Sequence, residues 1–406
     1  MFKIGGLVEE LKGWFSTEQA KIKARAADLE AKLTKQDLNP LPKETKTCLS
    51  DKISDLIPHS VHIAAVKSQL EEAIERWQSD STAANSLVIL VSPVEPVEAI
   101  FKEVLAEKDP TKLAIESLPH ALRSPDGSQT KERILEKLDL SQDRKSTLTA
   151  IPDLSWCFLR CAEGLEAIEH LQEMILGDRE RFWLIGCNNW TWQYLDCVCN
   201  LSSYLEQTFC LPTLKGIELK DWLKPVSETI DFEFAYDLGE RDRKSIDKDK
   251  SELNPDGEEN WTSESEKRYY EHLAYISLGL SRVAAKLWLE SLYAFNSEEE
   301  DEDDDKDESK GDRKPFIFQR ATLPELPSLT KEDRYLLHSL NLHGDMTLSE
   351  LALSLGDQER KIQRQVRSLQ RSGIIEAKSA AISLNPRYYP KVRTNLDNNR
   401  FLVGGL

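Results

Sequence analysis

The chain has 406 residues, of which 40% are hydrophobic and 31% charged, enough for two or three domains with apolar cores and polar connections. Its formal net charge of −18 argues against binding of nucleic acid or anionic membrane over the whole surface. The charge is uneven, because residues 320–406 contain 13 Lys and Arg against 9 Asp and Glu, a net charge of +4 that leaves −22 on the remainder. A basic C-terminal region on an acidic body predicts a separate partner for that region.

The cysteine usage points to a reducing compartment. Seven cysteines are present, and most of them lie within apolar runs, which is typical of buried free thiols. Cys197 and Cys199 are too close for an ordinary zinc-binding pair. No apolar run reaches the roughly 18 residues of a membrane span. We therefore expect a cytoplasmic protein without a metal site.

The N-terminal segment, residues 1–56, is predicted to be helical and rich in charge. Within residues 2–15 (FKIGGLVEELKGWF) the apolar side chains fall largely on one helical face. The polar face mixes lysines with glutamates, so it lacks the basic excess that favours anionic lipid. We expect residues 2–15 to dock within the protein or an oligomer; peripheral contact with a membrane is the alternative.

Residues 57–230 alternate apolar runs with amphipathic stretches. The run SLVILVS (86–92) is continuously apolar, as in a strand that is buried on both faces of a parallel sheet. Helices are predicted over 97–107 and 165–177, and further strands over 113–119, 146–154, 181–186 and, more weakly, 214–219. This alternation predicts a three-layer α/β domain with a parallel sheet and right-handed crossovers.

Three segments follow the α/β pattern. Residues 231–267 are polar and are predicted to form a solvated insertion, and residues 268–296 return to a helical period that predicts a helical lid. Residues 297–314 include eight consecutive acids at 298–305, which cannot pack together and predict a disordered linker. Such a linker could also imitate nucleic acid and compete for the basic C-terminal region.

The loop after the 86–92 strand is where a phosphate-binding P-loop would lie. In the pattern G-x-x-x-x-G-K-[ST], glycines let backbone N–H groups surround the phosphate, lysine adds a positive charge, and the hydroxyl ligates Mg²⁺. This chain has Ser92 and Val97 at the glycine positions, Glu98 at the lysine position and Ala99 at the hydroxyl position. Pro93 and Pro96 also remove backbone donors. We therefore expect neither ATP nor Mg²⁺ as a cofactor, and no enzymatic activity.

The motifs that follow nonetheless resemble those of AAA+/STAND P-loop ATPases over residues 60–295. LTAIPDL (148–154) is similar to a Walker B strand with Asp153 as its acid, and FWLIGCNN (182–189) ends at the first-sensor position with Asn188 and Asn189. LGLSRVAAKLW (278–288) resembles the lid segment that carries a second-sensor arginine, here Arg282. The resemblance implies a degenerate nucleotide site formed by these residues together with Ser92, Val97, Glu98 and Ala99.

Each polar residue of that site also has a purely structural interpretation. Asp153 follows a proline and can cap a helix. Asn188 and Asn189 can satisfy backbone groups where a strand turns into a helix, and Arg282 can form a surface salt bridge. The sequence leaves both interpretations open for all four residues.

Residues 315–406 are predicted to form a C-terminal domain. Thr330 precedes a first helix, and Thr347 with Glu350 three residues later forms a capping box for a second. DQERKIQRQVRSLQRSG (357–373) predicts a third helix, and IIEAKSAAISLNP (374–386) predicts a hairpin. This order of elements resembles a winged helix-turn-helix.

The third helix has the pattern of a recognition helix. At about 100° per residue, its four spaced arginines fall within a sector of about 60°, opposite an apolar stripe: Arg360, Arg364, Arg367 and Arg371. Arginines pair with phosphates and read guanine edges in the major groove. We therefore predict DNA contact through these arginines, with Lys378 of the hairpin as a wing contact. The alternatives are a solvated basic face, or one that meets the acidic linker or a partner protein.

Together these features predict a non-catalytic cytoplasmic regulator or scaffold. The ATPase-like domain would bind a protein partner or a second copy of the chain, and the winged helix would contact DNA. One alternative is a nucleotide-sensing AAA+/STAND-like ATPase with unconventional phosphate binding. The other is a membrane-associated scaffold whose winged helix binds protein.

Overall fold

The computed structural model describes residues 38–80, 82–106, 114–117, 123–124, 127–137, 147–230, 232–234, 261–295 and 316–404. The segment 2–15 and the acidic linker at 297–314 lie outside these residues. The chain divides into two compact units. Unit 1 comprises Met1–Asp55, Leu223–His272 and Trp288–Thr322, and unit 2 comprises Leu56–Trp222, Leu273–Leu287 and Leu323–Leu406. Within the described ranges, none of the helices combines the length and apolar character that crossing a bilayer demands.

Unit 2 contains a five-stranded parallel sheet. In chain order its strands are β2 (Ser86–Val91), β3 (Ala114–Ser117), β4 (Thr147–Ile151), β5 (Arg181–Asn188) and β6 (Thr208–Cys210). They lie side by side in the order β3-β4-β5-β2-β6, with every pair parallel. Strand β2, the first of the five in the sequence, therefore lies between β5 and β6, the last two. This reversal of strand order is a topological switch point, where open α/β sheets bind ligands at their carboxyl edge.

Helices cover both faces of this sheet. Helices α2 (Ser60–Ser79) and α3 (Val97–Ala106) pack on one face. Helix α6 (Asn189–Cys199) packs on β2 and β5. Every residue of β5 is buried, as expected for a strand covered on both sides. The predicted three-layer α/β fold is confirmed.

The fifth strand differs from the prediction. Residues 214–219, predicted as a strand, lead into helix α7 (Gly216–Ser227), and the edge strand is β6. Leu219, Leu223 and Val226 are all buried, and this i, i+4, i+7 spacing is helical. The strand prediction was wrong because it stopped at residue 219, before the period of 3.6 could be seen. The remaining helices of the α/β region are α4 (Gly127–Lys137) and α5 (Glu166–Gly177).

The predicted lid contains two helices, α8 (Glu264–Ser277) and α9 (Ser281–Glu290). The turn between them has φ of 65° at Gly279. A Cβ atom at Gly279 would lie 2.7 Å from the Leu214 carbonyl oxygen, and Leu214 donates its N–H to Gly279 at 2.9 Å. Only glycine fits both the left-handed backbone and this close approach.

Unit 1 contains a second, four-stranded sheet that was not predicted. Helix α1 (Lys43–Ser54) belongs to this unit. The strands are β1 (Leu38–Pro40), β7 (Phe232–Phe234), β8 (Leu292–Phe295) and β9 (Phe316–Phe318), in the order β1-β8-β9-β7. Rings from Phe232, Phe234, Tyr269, Trp288 and Phe318 contact one another beside them.

Three strands of this sheet lie within segments that were predicted without them. Strand β7 lies in the predicted polar insertion, β8 ends the predicted helical lid, and β9 lies in the predicted C-terminal domain. These strands are only three or four residues long, too short for a period to be recognised. They are held by aromatic contacts between segments that are distant in sequence.

The C-terminal region forms the predicted winged helix within unit 2. Its elements are α10 (Lys331–His343), α11 (Leu348–Leu355), α12 (Glu359–Arg371), β10 (Ile375–Lys378) and β11 (Ala381–Leu384), followed by α13 (Tyr389–Asn398). Thr330 and Thr347 each cap a helix in a full capping box. The described elements confirm the predicted architecture of an α/β domain with a parallel sheet, two helices in the predicted lid segment, and a C-terminal winged helix.

Candidate functional site

The carboxyl edge of the parallel sheet brings together most of the predicted nucleotide-site residues. Ser92 follows β2, Asp153 follows β4, and Asn188 and Asn189 join β5 to α6. In a parallel sheet these strand ends lie at the same edge. Arg282 is the second residue of α9.

A small cavity lies at this edge. Its volume is about 50 Å³, room for a few water molecules and far below the roughly 300–1,000 Å³ of ligand pockets. Its lining includes His62, Ser92, Glu95, Asn189, Gly279 and Leu280. The cavity is therefore closed on one side by the loop after β2 and on another by the turn between the lid helices.

The loop after β2 has few backbone donors to offer a phosphate. Glu95 donates its N–H to the Ser92 carbonyl, and Val97 donates to the Glu95 carbonyl, each at 3.0 Å. Pro93 and Pro96 have no N–H. Val97 is buried, while Glu98, at the position of the P-loop lysine, is exposed. Ala99 is half-buried in the first turn of α3.

Glu95 also lines this cavity, and the sequence alone did not identify it. Its side chain is only 7% exposed, and its two oxygens accept hydrogen bonds from Ser281 at the start of α9. The Ser281 N–H donates to Oε1 at 2.5 Å, and the Ser281 hydroxyl donates to Oε2 at 2.6 Å. Burial raises the pKa of Glu95, while these hydrogen bonds and the charge and backbone N–H of Arg282 act in the opposite direction. Glu95 occupies an unconstrained position of the P-loop pattern, so comparison with that pattern could not reveal it.

Asp153 caps a short helix. It precedes the 3-10 helix Leu154–Cys157, and its Oδ1 accepts the N–H of Ser155 at 2.8 Å. Burial raises the pKa of Asp153 to about 6, and the nearby charge of Arg123 acts against that rise. The structure thus gives Asp153 the capping contact that the sequence offered as one of two interpretations.

Asn188 occupies the corner between β5 and α6. Its Oδ1 accepts the N–H groups of Trp190 and Thr191 at 3.0 and 2.8 Å, so it is the N-cap of α6. Its Nδ2 donates to the Leu342 carbonyl of α10 at 3.2 Å. Asn189 lies against the C-terminal tail: a Cβ atom on Gly404 would come within 2.6 Å of the Asn189 Cγ.

The same edge holds the C-terminal end of α10. The last carbonyls of a helix have no partners within it, and here side chains of the α/β domain supply several. Thr191 and Asn188 donate to Leu342, and Arg123 donates to the carbonyls of His343 and Asp345 at 3.2 and 2.7 Å. Arg123 also forms a buried ion pair with Glu350 of α11 at 3.2 Å. Polar groups at the carboxyl edge of the sheet are thus bonded to the winged helix.

The lid helix α9 also contacts the winged helix. Lys286 pairs with Glu376 of β10 at 3.3 Å. Arg282, predicted at the second-sensor position, is exposed, and it contributes its backbone N–H and its charge to the surroundings of Glu95.

The predicted DNA-binding residues lie on the outer surface of the winged helix. All four arginines of α12 and Lys378 of β10 are exposed, whereas Ile362, Val366 and Leu369 on the opposite side of α12 are buried. Throughout the part of the chain that the structure describes, none of the five basic side chains forms an ion pair with a carboxylate. By contrast Lys361, on the same helix, pairs with Asp357 at 2.5 Å.

Comparisons with known proteins give only distant similarities. No family model matches the chain, and no curated protein matches it. Among solved structures, the ORC2 protein of Aeropyrum pernix with ADPNP and ADP is 13% identical (85% of this chain, 96% of that chain, TM-score 0.34). The ORC1 protein of the same organism in complex with DNA is 11% identical (91% and 99%, TM-score 0.33). CDC6P from Pyrobaculum aerophilum is also 11% identical (86% and 96%, TM-score 0.28).

Proposed function

We propose that this protein is a non-catalytic DNA-binding regulator, in which the winged helix contacts DNA and the ATPase-like domain holds the winged helix in place. The observation that carries this proposal is the basic surface of α12 and β10. Five exposed basic side chains share it, and none of them forms an ion pair with a carboxylate of the described residues. We call this set the basic face; it consists of Arg360, Arg364, Arg367, Arg371 and Lys378.

The basic face has the chemistry that DNA recognition needs. Guanidinium groups bind phosphates and the O6 and N7 atoms of guanine in bidentate geometry. A helix that is buried by its apolar stripe on one side and carries arginines on the other can enter the major groove without losing its packing. The body is acidic, so attraction to DNA would be concentrated at this face.

Two features support the absence of ATP hydrolysis. The loop after β2 lacks the P-loop glycines and lysine and uses two of its N–H groups internally. The cavity at the carboxyl edge of the sheet is about 50 Å³, much smaller than a nucleotide pocket. The domain would then act as a scaffold, and a protein partner or a second copy could bind it.

The DNA proposal is tested by electrophoretic mobility shift over a series of salt concentrations. The wild-type chain should bind duplex DNA with a steep dependence of affinity on salt, because each phosphate contact contributes about 0.9 to the slope of log K against log salt. In the double variant Arg364→Ala, Arg367→Ala the slope should fall by about 2.

A matched control is the double variant Arg76→Ala, Lys102→Ala. It removes the same charge from exposed sites in the α/β domain, and it should leave the slope unchanged. Binding that is absent, or that both variants weaken equally, would rule out DNA recognition by the basic face. Binding to an acidic protein but not to DNA would instead support the alternative, in which the winged helix is a protein-docking module.

The non-catalytic proposal is tested by calorimetric titration of the wild-type chain with ATP and Mg²⁺ at millimolar concentration, together with measurement of phosphate release. We expect neither heat of binding nor release of phosphate. Clear saturable binding would instead favour the nucleotide-sensing alternative.

A further inference from the structure

The N-terminus of helix α9 has the chemistry of an anion-binding site. The first N–H groups of a helix have no partners within it, and the helix dipole adds partial positive charge there. Together these features bind phosphate and carboxylate groups in many proteins. Helix α9 spans Ser281–Glu290, and its first residue is 4% exposed, so water cannot freely satisfy these donors.

The group found at this N-terminus is the carboxylate of Glu95. Three donors from two consecutive residues converge on it: the N–H and hydroxyl of Ser281 and the N–H of Arg282. Both carboxylate oxygens are used, and no other described acceptor competes for the Ser281 N–H. Burial raises the pKa of Glu95, and the donors of Ser281 and the guanidinium charge of Arg282 act against that rise.

The position of Glu95 in the fold gives this contact its meaning. Glu95 lies in the loop between β2 and α3, at the carboxyl end of the strand next to the topological switch point. Ligands of open α/β sheets bind at that position, and a phosphate bound there would be placed between the loop and the lid. Glu95 is the residue that makes this connection here.

We propose that the N-terminus of α9 is an anion-binding site that the chain fills with its own carboxylate, Glu95, in place of the phosphate of a ligand. The proposal rests on the proposed absence of nucleotide binding and explains how the lid is held without a nucleotide. Because Glu95 is part of the chain, the anion cannot be lost to solution, and the connection between sheet and lid does not depend on the concentration of any ligand.

The test uses the full-length chain at pH 8 and constant ionic strength, with chloride, acetate or inorganic phosphate as the anion. Glu95→Ala removes the carboxylate and leaves the donors of α9 exposed to a small cavity. Its melting temperature in chloride should be lower than that of the wild type by about 5 °C. Acetate and phosphate should each raise the melting temperature of Glu95→Ala by more than that of the wild type, because the wild-type site is already filled and only the general effect of each salt remains there.

Two further variants make the result specific. Ile100→Ala removes a fully buried side chain of α3 in the same unit, and it should destabilise the chain without any gain that is specific to acetate or phosphate. Glu95→Gln fills the space with a neutral group, so its melting temperature should be lower than that of the wild type and should not respond to acetate or phosphate.

If Glu95→Ala does not fold in chloride, recovery of folded protein in acetate or phosphate becomes the readout. Equal responses of Glu95→Ala and Ile100→Ala to the three anions would overturn the proposal, as would failure of both acetate and phosphate to recover folded Glu95→Ala. Binding of ATP by the wild-type chain would overturn the proposed non-catalytic function instead, and the melting experiments do not depend on that result.

Discussion

Two groups of polar residues have the pattern of a functional site in the sequence, but their burial and their bonding partners in the structure differ. At the carboxyl edge of the sheet, Glu95 and Asn188 are buried and Asp153 is half-buried, and all three are bonded to neighbouring backbone or side-chain groups. On the basic face, five charged side chains are exposed and form no described ion pair. Buried polar groups must be hydrogen-bonded for the fold to be stable, whereas nothing in the fold requires four arginines on one side of a surface helix. This difference favours a structural role for the first region and supports the binding role that we propose for the second.

The two regions are connected through helix α10. The carbonyl groups at its C-terminal end accept hydrogen bonds from Arg123, Asn188 and Thr191 of the α/β domain. A conventional ATPase would leave this edge of the sheet for its ligand. Here the edge is instead hydrogen-bonded to the winged helix that carries the basic face.

The largest expected effect is the loss of the buried ion pair between the α/β domain and the winged helix. In Arg123→Ala, Glu350 keeps its capping contacts but loses its cation in a buried environment, where both side chains are at most 10% exposed. Breaking such a pair costs about 3–5 kcal/mol of the free energy of unfolding. Urea unfolding of the full chain, followed by tryptophan fluorescence, measures this loss.

The control is an exposed pair in the same unit. Arg76 contacts Glu72 one helical turn away at 3.4 Å, and both side chains are more than half exposed. Arg76→Ala should cost less than about 1 kcal/mol. If the two variants were equally stable, the polar contacts at the sheet edge would contribute little to holding the winged helix on the α/β domain.

The second effect is a pH dependence that comes from Asp153. Burial raises its pKa from 3.8 to about 6 in the folded chain, so the folded state binds this proton more tightly than the unfolded state. The contribution of Asp153 to the free energy of unfolding is therefore largest below pH 4 and falls as the pH rises to about 6, by about 3 kcal/mol in total. Asparagine is also a good N-cap, so it can replace Asp153 in the cap without carrying a titratable proton.

Asp153→Asn should therefore retain the cap and remove this part of the pH dependence. The measurement is the free energy of unfolding from urea titrations between pH 4 and pH 7 for the variant and the wild type. The difference between the two chains should change over this pH range by about 2.4 kcal/mol. Parallel pH profiles would show that Asp153 is not the titrating group and would reopen its assignment as a structural cap.

The sequence predicted the larger elements because their patterns are long enough to be recognised. The buried run at 86–92, the helical period at 165–177 and the two capping boxes of the winged helix all correspond to described elements. The arginine pattern of α12 was equally visible, since four residues at helical spacing define a face without knowledge of any other part of the chain.

Features that depend on distant residues could not be predicted. Glu95 becomes significant only because Ser281, 186 residues later, donates to it. The sheet of unit 1 joins strands from positions 38, 232, 292 and 316, each too short to show alternation. Asn188 could be given two interpretations from its neighbours, and only the approach of Leu342 shows that its amide is used by the winged helix.

The smallest expected effect is on DNA binding by single lysine variants, which tests whether a basic residue must lack a carboxylate partner to bind DNA. Lys378 of the hairpin is exposed and has no described carboxylate partner, whereas Lys361 lies on α12 itself and is paired with Asp357 at 2.5 Å. Lys378→Ala should lower the slope of log K against log salt for DNA binding by about 1, the contribution of one phosphate contact. Lys361→Ala should change the slope less, because the Lys361 ammonium is already paired with Asp357 and would have to leave it to reach DNA.

Mobility shifts on one duplex over the same salt series compare the two variants directly. A larger loss of slope for Lys361→Ala would mean that position on α12, and not freedom from a carboxylate, decides which basic residues bind DNA.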